Sequence, residues 1–147
     1  MADPLTGGCA CGAVRYTAKI DGDDAYLCHC RMCQRASGNV SLALTNAMKA
    51  DVTWETEPAR YRSSPIARRG FCAACGTSLT FEYDDSAKMD LTVASFDDPS
   101  RFRPSHHFGT ESLHEAWLDT SALPRQPVDE YQPIIDKWIR AIGKLPD

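Results

Sequence analysis

The sequence predicts a mainly β fold whose sheets are tied together by metal, followed by one amphipathic helix near the C-terminus. Short alternating segments recur between turn signals, cysteines fall in tight groups, and a single helical period appears late in the chain. AVRYTAK at 13–19 alternates and reads as a strand. Asp21-Gly22-Asp23-Asp24 is a turn signal, and AYLCHC at 25–30 reads as the next strand. RMCQRAS at 31–37 reads as a short helical turn ended by Gly38. VSLALT at 40–45, DVTWE at 51–55 and ARYRS at 59–63 read as strands. SLTFEY at 78–83 and MDLTVASF at 89–96 read as a hairpin turned by Asp84-Asp85-Ser86. Pro99 and Pro104 bracket an irregular stretch. In VDEYQPIIDKWIRAIG, Tyr131, Ile134, Ile135, Trp138 and Ile142 fall at helical spacing. The period predicts an amphipathic helix over 128–143, with Pro133 in the first turn, where a missing N–H costs little.

The chain has 147 residues and is read as a single domain over 1–147, its core spanning 5–125. Apolar residues make up 43% and charged residues 24%, which suits a globular chain. A net charge of −4 argues against nucleic acid or an anionic membrane as partner. No apolar run approaches the ~20 residues of a membrane span. The opening MADPLTGGCACG has neither a basic nor an apolar signal region, so a cytoplasmic location is expected.

Seven cysteines are the outlying feature. An odd number does not close a disulfide framework, and a reducing compartment disfavours one. Cys9-Ala10-Cys11, Cys28-His29-Cys30 and Cys72-Ala73-Ala74-Cys75 are spaced for two-point capture of a metal. FCAACGTSL at 71–79 is the strongest signal, a zinc-knuckle pattern whose glycine can take a positive φ. Cys9 and Cys11, flanked by glycines in the same way, complete a four-cysteine site with Cys72 and Cys75. Such a site staples the chain across about 60 residues, where a metal clip contributes most. An alternative pairs Cys28 and Cys30 with the knuckle, and it leaves Cys9 and Cys11 as thiols without a role.

Cys28, Cys30 and Cys33 then form a second site, one ligand short. On a strand, His29 points to the face opposite Cys28 and Cys30, so it reads as a histidine behind the site or on the surface. His106, His107, His114, Asp97, Asp98 and Glu111 remain as further ligands or acid–base groups, and spacing singles out none of them. Zinc on three thiolates carries one negative formal charge and an open position. It suits holding a substrate thiol as thiolate better than generating hydroxide. Arg31 and Arg35 lie beside the cluster, and Arg60, Arg62, Arg68 and Arg69 precede the knuckle. These arginines read either as a strand edge guarded by charge or as a grip on substrate carboxylates, with Arg31, Arg35, Arg68 and Arg69 the candidates.

GGCACGAVRY at 7–16, CHCRMCQRASG at 28–38 and RRGFCAACGTSL at 68–79 together resemble the glutathione-dependent formaldehyde-activating enzyme family, also called the CENP-V/GFA domain. FDDPSRFRP at 96–104, HHFGTES at 106–112 and Trp117-Leu118 before Leu123-Pro124 are weaker echoes. The resemblance implies a tent-like arrangement of β-sheets and two zincs per chain. One is structural, on Cys9, Cys11, Cys72 and Cys75; the other is linked to catalysis, on Cys28, Cys30 and Cys33. It also implies a carbon–sulfur lyase-type activity that joins glutathione and formaldehyde into S-(hydroxymethyl)glutathione. His107 best matches the family's histidine, with His106 the alternative by a one-residue shift. The expected partners are therefore a small thiol and a small aldehyde. The competing reading is a non-catalytic, zinc-stapled binding module. Such modules usually carry basic or low-complexity extensions, and this sequence has none.

Overall fold

The computed structural model describes residues 3–146. The chain divides into two compact units, one running to His114 and the other from Glu115. The first unit carries strands β1 (Leu5–Gly8), β2 (Arg15–Ala18) and β3 (Asp24–Cys28), helix α1 (Arg31–Ser37), then β4 (Leu42–Met48), β5 (Val52–Trp54), β6 (Ala59–Ser64), β7 (Ala67–Phe71), β8 (Ser78–Tyr83), β9 (Lys88–Thr92) and β10 (Arg103–Phe108). The second carries helix α2 (Gln132–Ile142). The fold is mainly β, as expected.

Two sheets form, one in the order β1-β2-β5 and one in the order β10-β3-β4-β9-β8-β7-β6. The pairings are antiparallel except β10 with β3, which is parallel. The core lies where Tyr16, Ala18 and Val52 of the smaller sheet meet Leu79, Met89 and Leu91 of the larger. Gly7 leaves room on β1 for the Tyr16 ring, because a Cβ there would stand 2.5 Å from it. The Tyr16 hydroxyl reaches Ser95 Oγ at 2.8 Å.

The hairpin of β8 and β9 forms, with Phe81 opposite Asp90, but β9 ends at Thr92 and Val93–Ser95 makes a 3-10 turn where the sequence reads as strand to 96. Helix α1 also forms, and Gly38 ends it at a φ of 67°. In α2, Pro133 occupies the first turn and Gly143 closes the helix at a φ of 77°. Strands β1, β7 and β10 lie where the sequence shows glycines, a basic run and an irregular stretch. β10 is an edge strand, and all six of its residues are exposed. An edge strand of this kind has no buried face to impose apolar alternation. Its bulge falls between Pro104 and His106, and an edge tolerates proline.

Directly opposed residues share a face of a sheet. His106, Tyr26 and Leu44 therefore form one row across β10, β3 and β4. Asn46, Asp90, Phe81 and Arg69 form a second row across β4, β9, β8 and β7. Leu44 and Asn46 are two residues apart, so both rows stand on the same face.

Candidate metal centres and active site

The sulfurs of Cys9, Cys11, Cys72 and Cys75 lie within 4.8 Å of one another. Cys9 and Cys11 Sγ are 3.5 Å apart, and Cys11 and Cys72 Sγ are 3.8 Å apart. Tetrahedral zinc with thiolate bonds of about 2.3 Å sets its sulfurs about 3.8 Å apart, so this cluster fits a closed four-thiolate site. Backbone turns build it. Gly12 and Gly76 follow the two pairs at φ values of 80° and 79°, conformations that cost a side chain and cost glycine little. Gly76 N donates to Cys72 O at 2.7 Å, and Gly12 N donates to Cys9 O at 3.2 Å. Val14 N donates to Cys9 Sγ at 3.2 Å, which supports a thiolate there.

The second cluster joins the end of β3 to the start of α1. Cys28 closes the strand, Cys30 caps the helix and Cys33 lies in its first turn. Cys33 N donates to Cys30 Sγ at 3.3 Å, and Cys28 and Cys30 Sγ stand 3.6 Å apart. These spacings also fit zinc. Among the described residues, no histidine or carboxylate joins the three sulfurs as a further ligand. The hydrogen bond from Cys28 first, then the Arg69 guanidinium and Cys30, hold the Cys33 thiol low against the opposing effect of burial. Sharing with Cys33, followed by burial, pushes the Cys28 thiol up.

His29 lies outside this cluster. It is 1% exposed, and its Nε2 is 2.8 Å from His107 Nδ1. Its backbone N–H donates to Phe108 O at 2.8 Å. His29 thus ties the cysteine loop to β10 and is fully interior, one of the two positions the strand geometry left open. Burial pushes its pKa down, and His107 and His114 push in the same direction. Gly109 brings β10 close to the cluster. Its φ is 66°, and a Cβ there would meet Cys30 N at 2.7 Å.

Beside the three cysteines opens a pocket of about 640 Å³. Of the four candidate arginines, Arg69 lines it and Arg31, Arg35 and Arg68 do not. Arg69 is 2% exposed. Its Nη2 donates to Cys33 Sγ at 3.2 Å, its guanidinium carbon sits 4.8 Å over the Phe81 ring, and its Nη1 is buried with no hydrogen-bond partner among the described residues. Arg31 bonds Gln34 Oε1 at 2.5 Å, Arg35 is exposed on α1, and Arg68 stands 3.6 Å from Asp84. His106, His107 and Glu111 also line the pocket. Asp97 is instead paired with Arg15, and Asp98 caps the turn at Pro99–Arg101.

Sequence reasoning missed Tyr26, Phe81 and Asp90, all of which line the pocket. One signal was available for Tyr26. The two-residue period that turns His29 away from Cys28 places Tyr26 on the Cys28 face. Asp90 accepts from Asn46 Nδ2 at 3.0 Å, and burial pushes its carboxyl up.

Comparison with known proteins agrees with this geometry. An uncharacterized lyase of Schizosaccharomyces pombe is 34% identical over 77 residues, which are 52% of this chain and 56% of that protein. The match thus spans about half of each chain. A crystal structure of a Rhodobacter sphaeroides protein superposes with a TM-score of 0.58 at 20% identity, covering 70% of this chain and 99% of that one. That likeness concerns the fold alone. The family described as glutathione-dependent formaldehyde-activating enzyme matches residues 4–112, which include both cysteine clusters, His107 and Arg69. The chain belongs to this glutathione-dependent formaldehyde-activating enzyme family.

Proposed function

We propose that the chain is a zinc-dependent, carbon–sulfur lyase-type enzyme that joins a small thiol to a small aldehyde. Glutathione and formaldehyde, the pair in the family's description, are the first pair to test. The carrying observation is a three-sulfur cluster with no further ligand among the described residues, set at the wall of a pocket. Zinc bound by Cys28, Cys30 and Cys33 would supply Lewis acidity and an open position that keeps a thiol deprotonated.

The protein's own groups account for the remaining steps. The thiolate sulfur attacks the aldehyde carbon. A carbon–sulfur bond forms, the carbonyl π pair moves to oxygen, and the oxygen takes a proton to give the S-hydroxyalkyl product. His107 lines the pocket and supplies that proton. Its bond to His29 engages Nδ1, which leaves Nε2 for the reaction. Arg69 donates to Cys33 Sγ and offsets the negative charge of three thiolates, so the site is more electrophilic than its ligand set alone implies.

The closed four-cysteine cluster would serve a binding module equally well, but the pocket beside the second cluster favours the enzyme. The test is NMR of adduct formation from formaldehyde with glutathione or 2-mercaptoethanol. The zinc-loaded protein is expected to accelerate at least one of the two, and Cys30→Ser neither. Rates equal to buffer for both thiols would overturn the proposal.

A further inference from the structure

The walls of the pocket beside Cys28, Cys30 and Cys33 differ from what glutathione requires. Glutathione carries two carboxylates and one ammonium. A site for it needs cations that are free to pair. Arg69 is the guanidinium in the lining, and it is already committed. One nitrogen donates to Cys33 Sγ, its face lies on Phe81, and its other terminal nitrogen is out of reach of solvent. Arg31, Arg35 and Arg68 line no part of the pocket. Each rim histidine has its Nδ1 engaged, His106 with Ser105 Oγ at 2.9 Å and His107 with His29, and His107 Nε2 is given to the proposed proton transfer.

The pocket does present acids and rings. Asp90 and Glu111 line it, and neither offers a cation to an anionic tripeptide. Tyr26 stacks on His106, with centroids 5.4 Å apart and planes 19° from parallel, and Phe108 meets Tyr26 edge-on. On the far side Phe81 and Tyr83 make a second edge-to-face pair at 4.9 Å. These two aromatic walls stand on β3/β10 and on β8, three strand spacings or about 14 Å apart. Leu44 lies in the floor between them.

We infer that the thiol this site takes bears a neutral aromatic or bulky apolar group on its sulfur, seated between the Tyr26 and Phe81 walls, in place of a tripeptide. The inference rests on the proposed thiol chemistry at the three-cysteine site and narrows its substrate class. Burial of a ring between two aromatic walls supplies the binding energy. The want of a free cation in the lining supplies the discrimination against anions, with the Glu111 side chain beside it.

The test uses the full chain loaded with cobalt(II). Difference absorption follows the sulfur-to-cobalt band as benzyl thiol, glutathione or 2-mercaptoethanol is added. Benzyl thiol is expected to saturate at a concentration at least about tenfold below glutathione. Phe81→Leu is expected to remove most of that preference, and a sulfur-to-cobalt band that still forms with 2-mercaptoethanol shows that the site survives. Glutathione binding as tightly as benzyl thiol, or a preference unchanged in Phe81→Leu, would overturn the substrate class and leave the thiol site standing. A band with none of the three thiols would overturn the thiol site itself, and this inference with it.

Discussion

The two cysteine clusters use the same ligand in different settings. The four-cysteine cluster is made by backbone turns. Its glycines set the path of the chain, and two of its sulfurs, those of Cys11 and Cys75, belong to exposed residues. Cys28 and Cys33 of the other cluster are buried, with Arg69 on one sulfur, the His29–His107 pair behind and an aromatic pocket in front. A metal holding four thiolates has no room for a reactant, whereas a metal holding three beside a cavity has both an open position and a place for what binds there. On the proposed reading, architecture and chemistry are separated within one ligand type by what surrounds the sulfurs.

Removing one ligand from each cluster should show the contrast most strongly. Cys72→Ser breaks the closed site, and binding of structural zinc is worth roughly 10 kcal/mol or more of folding free energy. The variant is expected to lose its cooperative thermal transition, read by circular dichroism. Gly109→Ala comes next. It places a Cβ against Cys30 backbone at a φ of 66°, and the left-handed conformation alone costs about 1–2 kcal/mol. Denaturant unfolding should show that loss, and metal titration should show weakened binding at the three-cysteine site with the four-cysteine site unchanged.

Arg69→Met sharpens the comparison without disturbing the backbone. It removes the hydrogen bond to Cys33, and losing such a partner costs about 10–100-fold in metal affinity. Competition with a chelator should find that loss at one site. The smallest effect belongs to the surface pair of Asp97 and Arg15. Arg15 and then Thr6 hold the Asp97 carboxyl down to about 2 from an ordinary 3.8. A carboxyl lowered on folding contributes stability that is complete above its unfolded pKa. That contribution therefore fades as pH falls from about 4 through 2. The pair is exposed, so Asp97→Asn should cost about 0.5 kcal/mol at neutral pH and nothing below pH 2.

How much of this was legible in the sequence depended on whether a residue's role is written in its spacing. CxC and CxxC with adjacent glycine encode both the ligand and the turn, so the four-cysteine cluster could be read directly. Alternation marked β8 and β9, and the helical period marked α2. β10 could not be read this way, because an exposed edge strand carrying a proline has no apolar face to alternate. Arg69 was grouped with its neighbours as a basic run, although only it is interior. Its burial comes from sitting in register with Phe81, a cross-strand fact that no local pattern contains. The aromatic walls come from three strands, β3, β8 and β10, that are distant in sequence and brought together by the sheet.

Cys28, Cys30 and Cys33 are proposed to form a metal site separate from the four-cysteine one. Metal analysis of purified, zinc-reconstituted protein tests it directly, comparing the parent chain with Cys30→Ser. Serine is a good helix N-cap, so α1 and the fold should persist while one ligand is lost. The account predicts about two zincs per parent chain and about one per folded variant chain. A single zinc in the parent, or two retained in the variant, would contradict it.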